Sequence, residues 1–358
     1  MAGMRELLEE MVAKGASDLH ITAGLPPQYR IDGNIATTQF PVLTGDETQR
    51  LAYSILNEEQ KKRFEVEKEL DLSFGVQGIS RFRANVFQQR GVVSMAIRQI
   101  PYKINTFEEL GLPQVCRDLI RKSQGLVLVT GPTGSGKSTT LATMLDTINT
   151  SRKGHIITIE DPIEFVHQHK GCIVNQREVN SDTKSFPAAL KYVLRQDPDV
   201  ILIGEMRDRE TIQAALTIAE TGHLALATLH TNSTFESINR IIDVFPPEQQ
   251  NQVRSQLSFS LLGVLTQQLI PRARGGGRAL TLEIMVCTPA IKAMIRDNKT
   301  HQIYGHMQAG QKYGMQTMNQ SLYQAVVNKW ISLEQAMGRS PDIQELQQML
   351  GEPVGLKT

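Results

Sequence analysis

The chain has 358 residues, 38 Lys and Arg against 37 Asp and Glu, and 40% hydrophobic residues, enough for two domains with real cores but with no net field to hold nucleic acid or an anionic membrane. Its three cysteines, Cys116, Cys172 and Cys287, form no Cys-x-x-Cys pair, which excludes a disulfide framework and a tetracysteine zinc site and fits a reducing compartment. No apolar run approaches the about 20 residues of a spanning helix, and residues 1–10 are polar and acidic rather than signal-like, so a soluble cytoplasmic protein without a transmembrane segment is expected.

In chain order, residues 4–14 set Met4, Leu7, Leu8, Met11 and Val12 at helical spacing, stopped by Gly15. Asp18–Ile21 alternates, Pro26-Pro27 breaks the chain, and Tyr29-Arg30-Ile31 runs into Asp32-Gly33, a dipeptide that favours a tight hairpin turn. Residues 81–88 and Val92–Ile100 read as strands either side of Gln89-Arg90-Gly91. Residues 1–100 are therefore expected to form a small α+β domain. Pro101, Asn105-Thr106 and Gly111-Leu112-Pro113 mark a linker over 101–113.

Beyond Gln124 strand and helix alternate. Strands are predicted at Gly125–Thr130, 155–159, Val200–Ile203 and Leu224–Leu229. The intervening helices carry Leu141, Met144, Leu145 and Ile148 on one face, then Ile212, Ala215, Leu216 and Ala219, then Ile238, Ile241, Ile242 and Phe245. Short apolar strands without clean alternation, separated by amphipathic helices, are what a parallel sheet covered on both faces requires. A doubly wound α/β core is expected over 114–288. A more polar helical region follows over 289–358, with Gly275-Gly276-Gly277 as a flexible turn before it.

Gly131-Pro132-Thr133-Gly134-Ser135-Gly136-Lys137-Ser138 satisfies G-x-x-x-x-G-K-[ST], after an apolar strand and before an amphipathic helix. Glycines let main-chain N–H groups wrap phosphates, the helix N-terminus adds positive potential, Lys137 reaches the terminal phosphates, and the Ser138 hydroxyl can ligate Mg²⁺. Gly131 to Thr139 are thus candidate contacts for ATP.

Hydrolysis also needs an acid for the metal and a base for water. The strand ending at Ile203 delivers Glu205 at its carboxyl end, where open α/β sheets bind ligands; with Ser138 it is the candidate metal pair. Glu160-Asp161-Pro162-Ile163-Glu164 closes another strand at the same expected edge, with Glu160 and Asp161 as nucleotide contacts. Like charges near a metal have their pKa values driven apart. Glu164 is favoured as base and Glu205 as metal-side acid, with the reverse assignment open. His223 precedes the fourth strand and His230 follows it, so at least His230 is expected at the nucleotide edge, where it could sense or contact the γ-phosphate, with His223 a candidate nucleotide contact. Period-two alternation puts Arg81 and Arg83 on one strand face, an anion clamp suited to arginine fingers on a neighbouring subunit's nucleotide, with Arg98 as a third candidate.

These boxes, in this order and over almost the whole length, resemble the type II and type IV secretion ATPases. Ala16-Ser17-Asp18-Leu19-His20 and Arg81-Phe82-Arg83 strengthen the resemblance to that family's pilus retraction motors. The resemblance implies a PAS-like N-terminal domain, a RecA-like C-terminal ATPase domain and a homohexameric ring. It also implies a cytoplasmic motor docked on an inner-membrane platform protein, whose ATP-driven domain motions remove pilin and shorten the pilus. The run from Ala290 to Arg296 is similar to the retraction motors' Ala-Ile-Arg-Asn-Leu-Ile-Arg helix, with Lys292 and Ala293 as departures. Pilus-assembly and type II secretion ATPases, the alternative, usually carry longer N-terminal regions and a four-cysteine zinc element. A RecA-like nucleic-acid translocase would need a basic channel, which balanced charge and 5% aromatic residues do not supply. A slow nucleotide switch has no need of the acidic boxes.

Overall fold

The computed structural model describes residues 3–31, 33–100 and 103–351. Asp32 and Pro101, on which the expected turn and linker partly rest, lie outside the described residues. The chain divides into two units, Met1–Lys103 with Glu164–Val166, and Ile104–Ile163 with His167–Thr358.

The first unit runs α1 (Met4–Ala13), β1 (Asp18–Ile21), β2 (Gln28–Ile31), β3 (Asn34–Thr37), α2 (Gly45–Tyr53), α3 (Glu58–Glu67), β4 (Glu69–Val76), β5 (Ser80–Gln89) and β6 (Val92–Ile100). Its six strands form an antiparallel sheet in the order β3-β2-β1-β6-β5-β4. One face is apolar: Leu7, Leu8 and Met11 of α1 share a core with Leu19, Tyr29, Phe82, Ala84, Val86, Met95 and Ile97. Helices α2 and α3 start at reciprocal capping boxes, Thr44 with Glu47 and Asn57 with Gln60, which satisfy the first free amides.

The second unit opens with α4 (Phe107–Leu110) and α5 (Gln114–Ile120) and continues β7 (Gly125–Thr130), α6 (Lys137–Ser151), β8 (His155–Glu160), β9 (Ile173–Glu178), α7 (Phe186–Val193), β10 (Val200–Ile203), α8 (Arg209–Glu220), β11 (Leu224–Leu229), α9 (Thr234–Asp243), α10 (Pro247–Ser260), β12 (Leu261–Pro271) and β13 (Arg278–Val286). Short helices close it: α11 (Pro289–Arg296), α12 (Ile303–Gln308), α13 (Met318–Val327), α14 (Leu333–Met337) and α15 (Ile343–Leu350). The sheet order is β13-β12-β7-β11-β10-β8-β9, parallel except for β13, which returns antiparallel to β12.

Every residue of β7 is buried, because alternate side chains feed two cores. Leu126 and Leu128 join α8, α9 and α10 on one side; Val127 and Val129 join Leu141, Met144, Leu145 and Ile148 of α6 on the other. Helices on both faces of a mostly parallel sheet make this an α/β, doubly wound unit, as the strand and helix alternation implies. The parallel direction has one consequence for function: the carboxyl ends of β7, β8, β10 and β11 all lie at one edge.

Candidate nucleotide site

At that edge β7 ends at Thr130, and the chain turns through Gly131 to Gly136 into α6, whose first residue is Lys137. Gly131 takes φ +136°, and a Cβ there would lie 2.3 Å from the Gln267 carbonyl oxygen and 2.7 Å from Ser135 Oγ. Only glycine combines that dihedral with that approach. Gly136, at φ +89°, precedes α6 and supplies no side-chain cap, so the first amides of α6 are left for an anion. Pro132, Thr133, Gly134 and Ser138 are exposed, Thr139 is half-buried, and Ser135 and Lys137 are buried. The Lys137 ammonium donates to the carbonyl oxygens of Gly131 at 2.8 Å and Pro132 at 3.0 Å. Burial pushes its pKa down, and the charge of Glu205 acts in the opposite sense.

Glu205 stands two residues past β10. The intervening main chain is stitched to both neighbouring strands: Gly204 N–H donates to Ile159 O at 2.8 Å and Met206 N–H to Thr228 O at 3.1 Å. Its carboxylate is 18% exposed and takes Arg207 Nε at 2.7 Å and His230 Nε2 at 3.2 Å, both on Oε1. Burial pushes the carboxyl up, but the hydrogen bond from Arg207 and the charges of His230 and Arg207 outweigh it and hold it below its ordinary range. Arg207 was not anticipated; its signal was a basic residue two places after the acid at the end of an apolar strand.

Glu160, at the end of β8, is buried and accepts from Thr158 Oγ1 at 2.6 Å and Gln176 Nε2 at 3.2 Å. Asp161 follows it, exposed, and its charge adds to that of Glu205 in holding Arg207 protonated. Glu164 is exposed and is grouped with the first unit. The structure thus gathers the 131–139 loop, Glu160, Asp161, Glu205 and His230 at one edge.

His223 does not join them, which corrects its placement among the nucleotide contacts. It precedes β11, its carbonyl accepts from Gly125 N–H at the start of β7, and Leu229 is the partner of Thr130 at the other end of the ladder. A residue before a parallel strand sits at the amino edge, opposite the P-loop. There the His223 imidazole meets Thr221 Oγ1 at 3.2 Å and Ile218 O at 3.3 Å.

In the first unit Arg81 and Arg83 share the polar face of β5, Arg81 half-buried and donating to Ser73 Oγ at 2.9 Å, Arg83 exposed. Strand register sets Arg30, Asp18, Arg98, Arg83 and Ser73 in one row across the sheet. Arg98 Nε donates to Asp18 Oδ1 at 2.7 Å, which gives that third arginine a structural partner.

A divalent cation fits the donor set at the P-loop edge. Ser138 Oγ and an ionised Glu205 are hard oxygen donors, and Mg²⁺ characteristically takes one or two protein oxygens with water and phosphate oxygens completing the shell. Among the described residues no group of three or more His, Cys, Asp and Glu could hold a metal ion.

A phosphate loop after the first strand of a doubly wound sheet, with an ionised carboxylate just past β10, two strands away at the same edge, defines a P-loop ATPase unit of the RecA-like kind. Residues 2–338 match the family described as type II/IV secretion system protein, and the chain belongs to that family of ATPases. It is 52% identical over 331 residues to the type IV pilus retraction ATPase PilT of Pseudomonas aeruginosa, covering 92% of this chain and 96% of that protein. A twitching motility protein of Neisseria gonorrhoeae is 44% identical, covering 89% of this chain and 86% of that protein. The crystal structure of the pilus retraction motor PilT with bound ADP matches with a TM-score of 0.92 and 52% identity, over 97% of this chain and 100% of that one. No helix among the described residues is long and apolar enough to cross a membrane.

Proposed function

We propose that the chain is a type IV pilus retraction ATPase, a homohexameric motor that hydrolyses ATP to draw pilin out of the fibre and so produce twitching motility. The observation that carries this reading is the convergence of Lys137, Ser138, Glu160, Glu205 and His230 on one sheet edge, in a chain half identical to the pilus retraction motor along nearly its whole length. Type II secretion relatives are more distant. Residues 1–100 are the PAS-like domain, 101–113 the linker, 114–288 the RecA-like core and 289–358 the helical region. The motor works at the cytoplasmic face of the inner membrane against a platform protein, and through it on pilin.

On ATP binding, Lys137 exchanges the Gly131 and Pro132 carbonyls for terminal phosphate oxygens, while the amides at the start of α6 hold the inner phosphates. Ser138 and Glu205 are the residues that would hold Mg²⁺, which would supply charge neutralisation to the phosphate oxygens. A carboxylate held below its ordinary range is a weak proton acceptor, so Glu205 suits the metal side and Glu164 the attacking water. His230, tied to Glu205, carries the state of the γ-phosphate into the loop before α9. Arg81 and Arg83 stabilise the transferred phosphoryl group of a neighbouring subunit, and the domains shift as rigid bodies with each turnover.

Lys137→Ala and Glu205→Ala are expected to abolish turnover with an unchanged circular dichroism spectrum. Wild-type turnover in either variant sinks the site assignment. In the source cell, deletion is expected to leave fibres on the surface without twitching; loss of all fibres would instead mark an assembly motor.

A further inference from the structure

Strand β12 lies beside β7 and runs past it. Thr266 is the register partner of Thr130, their hydroxyls 2.7 Å apart, and residues 267–271 continue alongside the phosphate loop. Gln267, the first of them, is fully buried. Its Nε2 donates to the main-chain carbonyl of Ser135 at 2.6 Å, and its own carbonyl is the atom that a Cβ on Gly131 would strike. Its Oε1 is buried and has no hydrogen-bond partner among the described residues.

Packing alone does not account for this side chain. A buried amide with an acceptor unmet is less favourable than an apolar side chain of the same length, which would fill the space and strand nothing. What the amide supplies, and methionine would not, is a fixed direction for one peptide group. In a trans peptide the carbonyl and the following N–H point to opposite sides. With the Ser135 carbonyl held on Gln267, the Gly136 N–H is turned away from β12. Gly136 has no side chain of its own to fix that plane, and Gln267 Nε2 and Leu269 Cδ1 lie 3.2 Å from where its Cβ would be.

We propose that Gln267 is a positioning residue for the phosphate cradle: by holding the Ser135 carbonyl it aims the Gly136 amide, and with it the start of α6, at the inner phosphates of the bound nucleotide. This deepens the nucleotide-site reading and rests on it.

The test is ATP turnover and ADP titration of Gln267→Met and Gln267→Glu. Loss of one well-aimed amide from a charged phosphate is expected to raise KM for ATP and Kd for ADP about tenfold, with kcat kept within about threefold because the hydrolytic groups are untouched. Gln267→Glu can donate to the Ser135 carbonyl only when protonated, so its ionised form is expected to lose at least as much affinity as Gln267→Met. A folded Gln267→Met protein with unchanged KM overturns the proposal. The wild-type protein provides a second test should both variants fail to fold. A crystal structure with ADP must show Gln267 Nε2 still on Ser135 O and Gly136 N–H on a phosphate oxygen; an amide that has left Ser135 in that complex refutes the role. Lys137→Ala separates the two readings. If it keeps ADP binding and turnover, the site itself is wrong; if it loses both while Gln267→Met loses neither, only the role of Gln267 fails.

Discussion

Replacing Gly131 by alanine tests the close approach on which the cradle depends. At φ +136° the added Cβ would meet the Gln267 carbonyl oxygen at 2.3 Å and Ser135 Oγ at 2.7 Å. The carbonyl belongs to β12, which is laddered to β7 on one side and β13 on the other, so the loop and not the strand must give way. Holding a non-glycine residue in so sparse a backbone region costs about 1–3 kcal/mol before any contact is counted. A loop that relaxes escapes the strain but loses the cradle, and nucleotide must then pull it back. ADP affinity is expected to fall by about 5- to 150-fold, the equivalent of that strain. Gly134→Ala is the internal comparison. Its φ of +78° lies in the left-handed region, but a Cβ there meets nothing within 4 Å, so its effect should be the smaller. Titration with a fluorescent ADP analogue, beside a melting curve without nucleotide, measures both. Gly131→Ala binding ADP within about twofold of wild type, or more tightly than Gly134→Ala, would refute the close-approach argument.

Two further outcomes follow from the same structure. Burial holds the His167 imidazole down to about 4, with the Asp146 carboxylate pulling it up and the Lys170 ammonium pushing it further down. The folded group is neutral while the unfolded one titrates near 6.5, so its stability contribution is complete above that value and is lost as pH falls towards 4. Between about pH 7.5 and about pH 5 the loss amounts to about 2 kcal/mol. Urea midpoints should show it in the wild-type protein and not in His167→Gln; equal losses in both would count against the buried neutral imidazole. For the arginines, mixing is decisive: subunits lacking Arg81 and Arg83 are expected to regain turnover when combined with Lys137→Ala subunits. Mixtures as inactive as their parents would place the arginines outside a shared site.

How much of this was legible beforehand depends on which interactions are local. The Gly125–Thr130 strand, its glycine loop and α6 are contiguous, so apolar run, dihedral demands and helix start all lie within one stretch of chain. The alternation of Arg81, Phe82, Arg83 and Ala84 likewise predicts its own faces, and the burial pattern of β5 follows it. Strands β3, β9 and β12 escaped notice, as did β4 and β13, the first three for different reasons. The first two are edge strands with half-polar or exposed side chains, whose Asn34-Ile35-Ala36-Thr37 and Ile173-Val174-Asn175-Gln176 lack a clean period. The third begins directly after α10 and is interrupted by Gln267-Gln268, which reads as a break in an apolar run when it is in fact where the strand, still paired with β13, runs past the end of β7 and meets the phosphate loop.

The misplacing of His223 has a similar origin. Thr221-Gly222-His223 and His230-Thr231-Asn232 bracket one short strand, and taking them as a single box ignores that a parallel strand carries its two ends to opposite edges. Direction was available from the alternation of strands and helices; neighbourhood was not. The bond from Gln267 to Ser135 spans 132 residues, and the one from Thr234 N–H to Glu283 spans 49. Nothing periodic links such pairs, because each exists only once β12 is inserted beside β7 with β13 turned back against it. The nucleotide loop is therefore written locally, whereas the side chain that aims it is set by which strand comes to lie next to the first, and this is the element of the site that only the sheet order reveals.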